Sequence, residues 1–197
     1  MPSPEDLKTT LLRAISNAGT ASSDFDLNPE YAPPNGRVLK PAAVLIAVTE
    51  GGQLILTKRS AQLKHHPGQI AFAGGRKDDT DRDLIQTALR EAKEEIGLDP
   101  DVVTILGDLP PHETVTNYSV TPIVAMVPND LKFTAEPGEV AEVFMVPLTH
   151  VLNPANFQIE GRRWRGHRRQ YYTVPYGPYY IWGATARMLR GLAEGAV

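Results

Sequence analysis

Gly74-Gly75-Arg76-Lys77-Asp78-Asp79-Thr80-Asp81-Arg82-Asp83-Leu84-Ile85-Gln86-Thr87-Ala88-Leu89-Arg90-Glu91-Ala92-Lys93-Glu94-Glu95-Ile96-Gly97-Leu98 is the stretch on which the reading of this chain turns. Its second half has the period of a helix. Ile85, Leu89, Ala92 and Ile96 recur at helical spacing and predict one apolar stripe. Gly97 stands where a helix commonly ends in a left-handed residue. Glu91 lies three and four positions before Glu94 and Glu95, beside both of them on the helix surface. Like charges so placed cost roughly 0.2–0.5 kcal/mol per pair in a bare helix. A hard divalent cation such as Mg²⁺ or Mn²⁺ turns that repulsion into ligation, because it takes carboxylate oxygens. Taken alone, a Glu-rich helix is more often a solvated acidic face.

The context changes that balance. Gly75, Asp81 and Arg90-Glu91-Ala92-Lys93-Glu94-Glu95-Ile96-Gly97-Leu98 resemble the Nudix box, GX5EX7REUXEEXGU with U a bulky aliphatic. The second half fits except that Ala92 is small for its position. In the first half Asp81 stands for the early Glu, and one extra residue separates it from Arg90, which leaves the role of Asp81 open. Upstream, Ile55-Leu56-Thr57-Lys58-Arg59-Ser60-Ala61-Gln62-Leu63-Lys64-His65-His66-Pro67-Gly68-Gln69-Ile70-Ala71-Phe72-Ala73-Gly74-Gly75 resembles LLTxRSxxLxxHxGxVxFPGG, the signature of the coenzyme A pyrophosphatase branch. It departs at Ala73, where that branch usually has Pro.

Around these motifs the bounds are plain. A chain of 197 residues with 42% hydrophobic content suits one ordinary globular domain. The net charge of -3 gives no global pull toward nucleic acid or anionic membrane, so neither is an expected partner. Without cysteine there is no disulfide framework, thiolate metal site or thiol nucleophile. The first residues lack the order of a signal peptide, and no apolar run approaches the roughly 20 residues of a membrane span. A cytoplasmic location is the expectation, and a homodimer is left open.

Residues 4–18 read as an amphipathic helix with Leu7, Leu11, Leu12 and Ile15 on one side, started by Ser3 or Pro4 and ended by Gly19. Residues 20–40, with Pro29, Pro33, Pro34, Asn35 and Gly36, read as an irregular arm. Residues 1–37 are therefore taken as an N-terminal extension packing on a main domain of residues 38–197. Predicted strands cover 42–48, 53–58, 70–73, 104–109, 120–127, 140–146, 157–164 and 170–174. A Glu50-Gly51-Gly52 turn joins the first two, and a Gly74-Gly75 turn leads into the acidic helix. A short helical turn runs to Leu152, and a closing helix covers 181–192. Strands mixed with a few helices predict an α/β (α+β) fold, a mixed sheet sandwiched between helices, as the Nudix resemblance also implies with its catalytic loop–helix–loop.

The chemistry follows from the acids. Splitting a diphosphate requires neutralising nonbridging oxygens and placing a water in line with its leaving group, and metal ions do both. Glu91, Glu94 and Glu95 are the evident ligands, one of them a candidate to take the water's proton. Gly74 allows a backbone carbonyl to face the metal, and Arg90 can hold a carboxylate through a two-pronged contact. The resemblance implies catalytic roles for Arg90, Glu91, Glu94 and Glu95, and a further acid from outside the box, Glu139 or Glu142. It also implies substrate contacts by His66, Gly68 and Gln69, with Arg59 and Ser60 able to meet phosphate. His65 and His112 read as structural. The segment Arg162-Arg163-Trp164-Arg165-Gly166-His167-Arg168-Arg169 has three readings: a solvated hairpin, a clamp for substrate phosphates with Trp164 or a Tyr on adenine, or a nucleic-acid contact. The late Tyr180-Ile181-Trp182-Gly183-Ala184-Thr185-Ala186 also resembles the coenzyme A branch. The implied reaction converts coenzyme A or a derivative into 4′-phosphopantetheine and 3′,5′-ADP. The alternatives are another nucleoside diphosphate derivative, such as a sugar nucleotide or dinucleotide, or a binding module without catalysis.

Overall fold

A computed structural model describes residues 3–31, 36–164 and 166–197. Pro33, Pro34 and Asn35 of the arm and Arg165 of the late cluster lie outside the described residues, as do the side chains of Trp164 and His167. The fold is a mixed sheet between two helix layers. Its centre is β2 (Lys40–Thr49), which runs parallel to β8 (Tyr118–Val127) along its whole length. On its other side β2 is antiparallel to β5 (Ala73–Arg76) and, at Val48, to β3 (Gln53–Arg59). β3 carries β4 (Ile70–Ala71) and β9 (Val140–Pro147), both antiparallel. β6 (Thr104–Asp108) and β7 (His112–Glu113) pair with β8, and β1 (Ser22–Ser23) lies parallel to β7.

A central strand must be apolar on both faces, and β2 is. Ala43, Leu45 and Ala47 point into one core with Ala88, Ala92 and Ile96 of α2 (Leu84–Ile96). Ala42, Ile46 and Val48 point into the other, with Leu7, Leu11 and Ala14 of α1 (Pro4–Ser16) and Leu189 and Leu192 of α4 (Gly183–Ala196). The N-terminal helix thus shares a core with the closing helix. Ser3 starts it through a reciprocal cap with Asp6. α3 (Leu148–Val151) follows β9, and β10 (Gln158–Trp164) and β11 (His167–Thr173) form a separate two-stranded ribbon. Among the described residues no helix is long and apolar enough to cross a membrane.

Four expectations need correction. Gly74 and Gly75 do not turn; they lie in β5, opposite Val44 and Ala43. Glycine is needed there for close approach, since a Cβ on Gly74 would sit 2.4 Å from the Ala43 carbonyl oxygen. The buried face of α2 is Thr87, Ala88, Ala92, Glu95 and Ile96, while Ile85 stands exposed. Of the expected stripe Ala92 and Ile96 are buried and Leu89 is half-buried, and the buried face is extended by Thr87 and Ala88 instead of Ile85. Strand β11 begins at His167 instead of residue 170, and α4 at Gly183 instead of residue 181.

Candidate active site

The site grows from the start of α2. Asp83 caps that helix by accepting from the Gln86 N–H, and Gly97 closes it in the left-handed conformation at φ 68°. Just before the cap, Asp81 is buried among donors: the Thr87 hydroxyl at 3.0 Å, the Asp78 N–H at 3.0 Å and the Arg90 guanidinium. Arg90 Nε and Nη2 reach the two Asp81 oxygens at 3.0 and 2.9 Å, a fork-to-fork pair that holds the Asp81 carboxyl well below the usual carboxylate range. The remaining donors of Arg90 go to the Arg76 carbonyl (3.1 Å), Glu91 Oε1 (2.9 Å) and Glu94 Oε2 (3.1 Å). All five N–H groups of the guanidinium are therefore engaged. The sequence left Asp81 without a role; its place six residues before Thr87 and nine before Arg90 is the signal that identifies it as their anchor.

Beyond Arg90, the helix turns Glu91 and Glu95 toward β5. Gly75 is bare where the Glu91 carboxylate lies: a Cβ there would meet Oε1 at 2.5 Å. The Gly74 N–H donates to Glu95 Oε2 at 3.2 Å, so it is the amide of Gly74 that faces the helix acids. Burial pushes the Glu95 carboxyl up to about 7; the Gly74 hydrogen bond opposes this, the charges of Glu91 and Glu139 add to it, and Arg59 opposes it. Burial likewise raises Glu91, against the pull of Arg90. Arg59 and Glu139 thus act on the helix acids through their charges. Arg59, at the end of β3, has a buried Nε with no hydrogen-bond partner among the described residues.

Glu139 arrives by backbone stitching. The Thr134 and Glu136 N–H groups donate to the Ile96 and Glu95 carbonyls, at 3.0 and 2.9 Å, satisfying the last turn of α2. The chain then tightens through Glu139 N–H to the Glu136 carbonyl, and the Ser60 N–H donates to the Glu139 carbonyl at 2.8 Å. Glu142 goes elsewhere. It shares the strand face of Phe144, on the side of α1 and α4, and accepts from the Tyr179 hydroxyl. Glu94 is largely exposed and turned onto Arg90 rather than toward Glu95.

The loop between β3 and β4 closes on itself beside this cluster. Arg59 N–H donates to the Gln69 carbonyl, and Gly68 N–H to the Arg59 carbonyl. Ser60 is buried, with its Oγ accepting from the Gln62 N–H, whereas His65, His66 and Gly68 are exposed and Gln69 is half-buried. His66 and Gly68 both take positive φ, at 54° and 69°. His112 is fully buried, its Nδ1 2.9 Å from Ser22 Oγ and its Nε2 3.1 Å from Asp24 Oδ1, which fastens the N-terminal arm to β7.

Among the described residues no three acidic or imidazole side chains converge into a finished metal cage. The chemistry of the donor set nevertheless suits a hard cation: Glu91, Glu95 and Glu139 repel one another in a partly desolvated place, and Glu94 lies on the same helix face. Such a set can hold a divalent ion against a phosphorylated ligand and offers two carboxyls raised toward neutrality as proton acceptors.

Comparison with known proteins adds to this geometry. The NUDIX domain family matches residues 38–165. The chain is 44% identical over 156 residues to "Uncharacterized Nudix hydrolase NudL" of Enterobacter sp. (strain 638), covering 78% of this chain and 81% of that protein. It is 42% identical to the protein of the same name from Escherichia coli O7:K1 (strain IAI39 / ExPEC), with the same coverage. Among solved structures, MutT protein from Methanosarcina mazei Go1 aligns at TM-score 0.49 and 22% identity over 60% of this chain and 84% of that one.

Proposed function

The chain belongs to the Nudix hydrolases, enzymes that split pyrophosphate bonds, and on that premise we propose that it hydrolyses coenzyme A or a derivative to 4′-phosphopantetheine and 3′,5′-ADP with Mg²⁺ or Mn²⁺. One observation carries the choice of substrate. The stretch that resembles the coenzyme A branch ends its strand with Arg59, whose buried Nε lacks a hydrogen-bond partner among the described residues and whose charge acts on Glu95, and the following Ser60 N–H donates to the Glu139 carbonyl. The link of Arg59 and Ser60 to the acidic residues supports the reading that they meet the substrate's phosphates.

In this reading Glu91, Glu94, Glu95 and Glu139 would hold the metal, and Gly74, expected to offer its carbonyl, instead steadies Glu95 through its N–H. When bound, the metal neutralises charge on the diphosphate and acidifies a water. Water adds to one phosphorus, the bridging P–O bond breaks, and the bridging oxygen leaves with the other phosphate. Glu91 or Glu95 takes the water's proton, since both are raised toward the working range of a base. Arg90 fixes Glu91 and is itself fixed by Asp81. Arg59 donates to a nonbridging oxygen, and Ser60, His66, Gly68 and Gln69 shape the loop over the pantetheine or nucleotide end.

The test is incubation of the purified protein with coenzyme A and Mg²⁺ or Mn²⁺, with and without chelator, reading products by mass. Metal-dependent phosphopantetheine and 3′,5′-ADP are expected. No cleavage of coenzyme A, with cleavage of a sugar nucleotide or dinucleotide, would overturn the substrate and keep the chemistry. Silence toward all of them would favour a binding module.

A further inference from the structure

The late arginines were not absorbed by the hydrolytic centre. Five of the eight residues 162–169 are Arg, in a chain whose overall charge is -3. Arg162, Arg163, Arg168 and Arg169 sit on the β10–β11 ribbon, a sheet of its own. Asn28 ties that ribbon to the body by bonding both the N–H and the carbonyl of Gln170. Arg169 lies over the Phe25 and Tyr31 rings of the arm, at 5.3 and 5.7 Å. Arg162 occupies the same face and lies 5.6 Å from the Trp182 ring, which Tyr171 meets edge-on. Arg163 and Arg168 are directly opposite each other on the other face, both exposed. Like charges in that register destabilise a strand pair. Arg162, Arg163 and Arg168 have no carboxylate partner among the described residues. Gly161 is the seat that lets Arg168 lie flat, since a Cβ there would be 2.8 Å from its Nε.

We propose that this ribbon, with Trp182 and Tyr180 beside it, is a docking surface for single-stranded nucleic acid, separate from the hydrolytic centre. The arginines face both ways, so one small phosphorylated molecule meets only part of the set, whereas a strand with a phosphate at every nucleotide can engage both faces in succession. The neighbouring aromatics supply what bases stack on, and Tyr180 is 41% exposed. A lipid surface would need apolar side chains to insert, and of the ribbon's described residues only Ile159 is a large exposed hydrophobic.

The experiment is fluorescence anisotropy of a labelled single-stranded RNA oligonucleotide with the intact protein across a salt series. The comparison is Arg162→Gln/Arg163→Gln/Arg168→Gln, with Lys8→Gln/Lys93→Gln/Lys132→Gln as a charge-matched control and circular dichroism to verify folding. With about three phosphates neutralised, affinity should fall about fourfold for each doubling of salt. The arginine triple should bind at least about tenfold more weakly at low salt with a flattened salt dependence, and the control should retain both. Metal-dependent turnover of the small substrate should be unchanged by the arginine triple, which keeps this inference apart from the proposed reaction. Absence of RNA binding by the unaltered protein would overturn the proposal. So would equal loss in the lysine control, retention in the arginine triple, or binding to anionic phosphatidylserine vesicles in place of RNA.

Discussion

Glu95 offers the sharpest test, because its environment makes a stability statement before any substrate is considered. Its carboxyl is held near 7, against 4.5 for an unburied glutamate, mainly by burial. A folded-state value raised above the unfolded one means that the native protein binds the proton more tightly. The associated stability is fully present below pH 4.5 and is lost as pH rises through 7. A difference of that size corresponds to about 3 kcal/mol. Glu91 is raised too, and adds in the same direction. Asp81 is lowered and acts oppositely, but below the ordinary carboxylate range and so outside this window. The perturbation is Glu95→Gln, assayed by urea unfolding at pH 5 and pH 8 in chelator. The unaltered protein should lose about 3 kcal/mol between the two, or about 6–12 °C in Tm for a chain of this size. The variant should lose much less, and should be the more stable of the two at pH 8. Parallel pH profiles would refute the reasoning. Saturating Mg²⁺ should restore stability at pH 8 in the unaltered protein and restore less in the variant, because ligation removes the repulsion that Gln already lacks.

Other perturbations separate the parts of the site. Asp81→Ala leaves the Arg90 guanidinium without its buried partner and should cost about 3–5 kcal/mol, measured by denaturant unfolding, with turnover falling as Glu91 loses its fixed neighbour. Gly75→Ala puts a methyl against the end of the Glu91 side chain, which can swing aside. Stability should change by less than about 1 kcal/mol while kcat falls by up to about 10²-fold, so normal kcat would show that the position of Glu91 does not matter. Glu139→Gln should lower metal-dependent kcat, whereas Glu142→Gln should leave it within about twofold, since Glu142 lies on the other face of the sheet with Tyr179. The reverse order would show that the further acid has been assigned to the wrong residue.

What the sequence revealed follows from how local each signal is. The apolar run of β2 and the Gly97 end of α2 are written within a few residues, and the described elements follow them. Signals set by distant partners were hidden. A Gly-Gly pair reads locally as a turn; only the backbone of β2 passing against it makes it a strand of close approach. The choice between Glu139 and Glu142 depends on an irregularity opposite Lys58 and Arg59 and on the stitching of residues 134–136 to α2. Asp81 was obscured by the extra residue before Arg90, although three donors converge on it.

The charges themselves argue for what the site is for. Arg90 is the obvious counterweight to the helix acids, yet its strongest contacts go to Asp81, and Arg76 is paired with Asp78. Among the described residues five carboxylates, Asp81, Glu91, Glu94, Glu95 and Glu139, are therefore set against Arg90, Arg59 and the Lys77 ammonium, which donates to the Asp81 carbonyl. A fold selected only to persist would gain by replacing Glu95, buried at a cost that rises with pH. Keeping it makes sense where a cation from solution completes the balance. Arg59, whose buried Nε has no hydrogen-bond partner among the described residues, then has one need left, an anionic oxygen from a ligand lying across that cation.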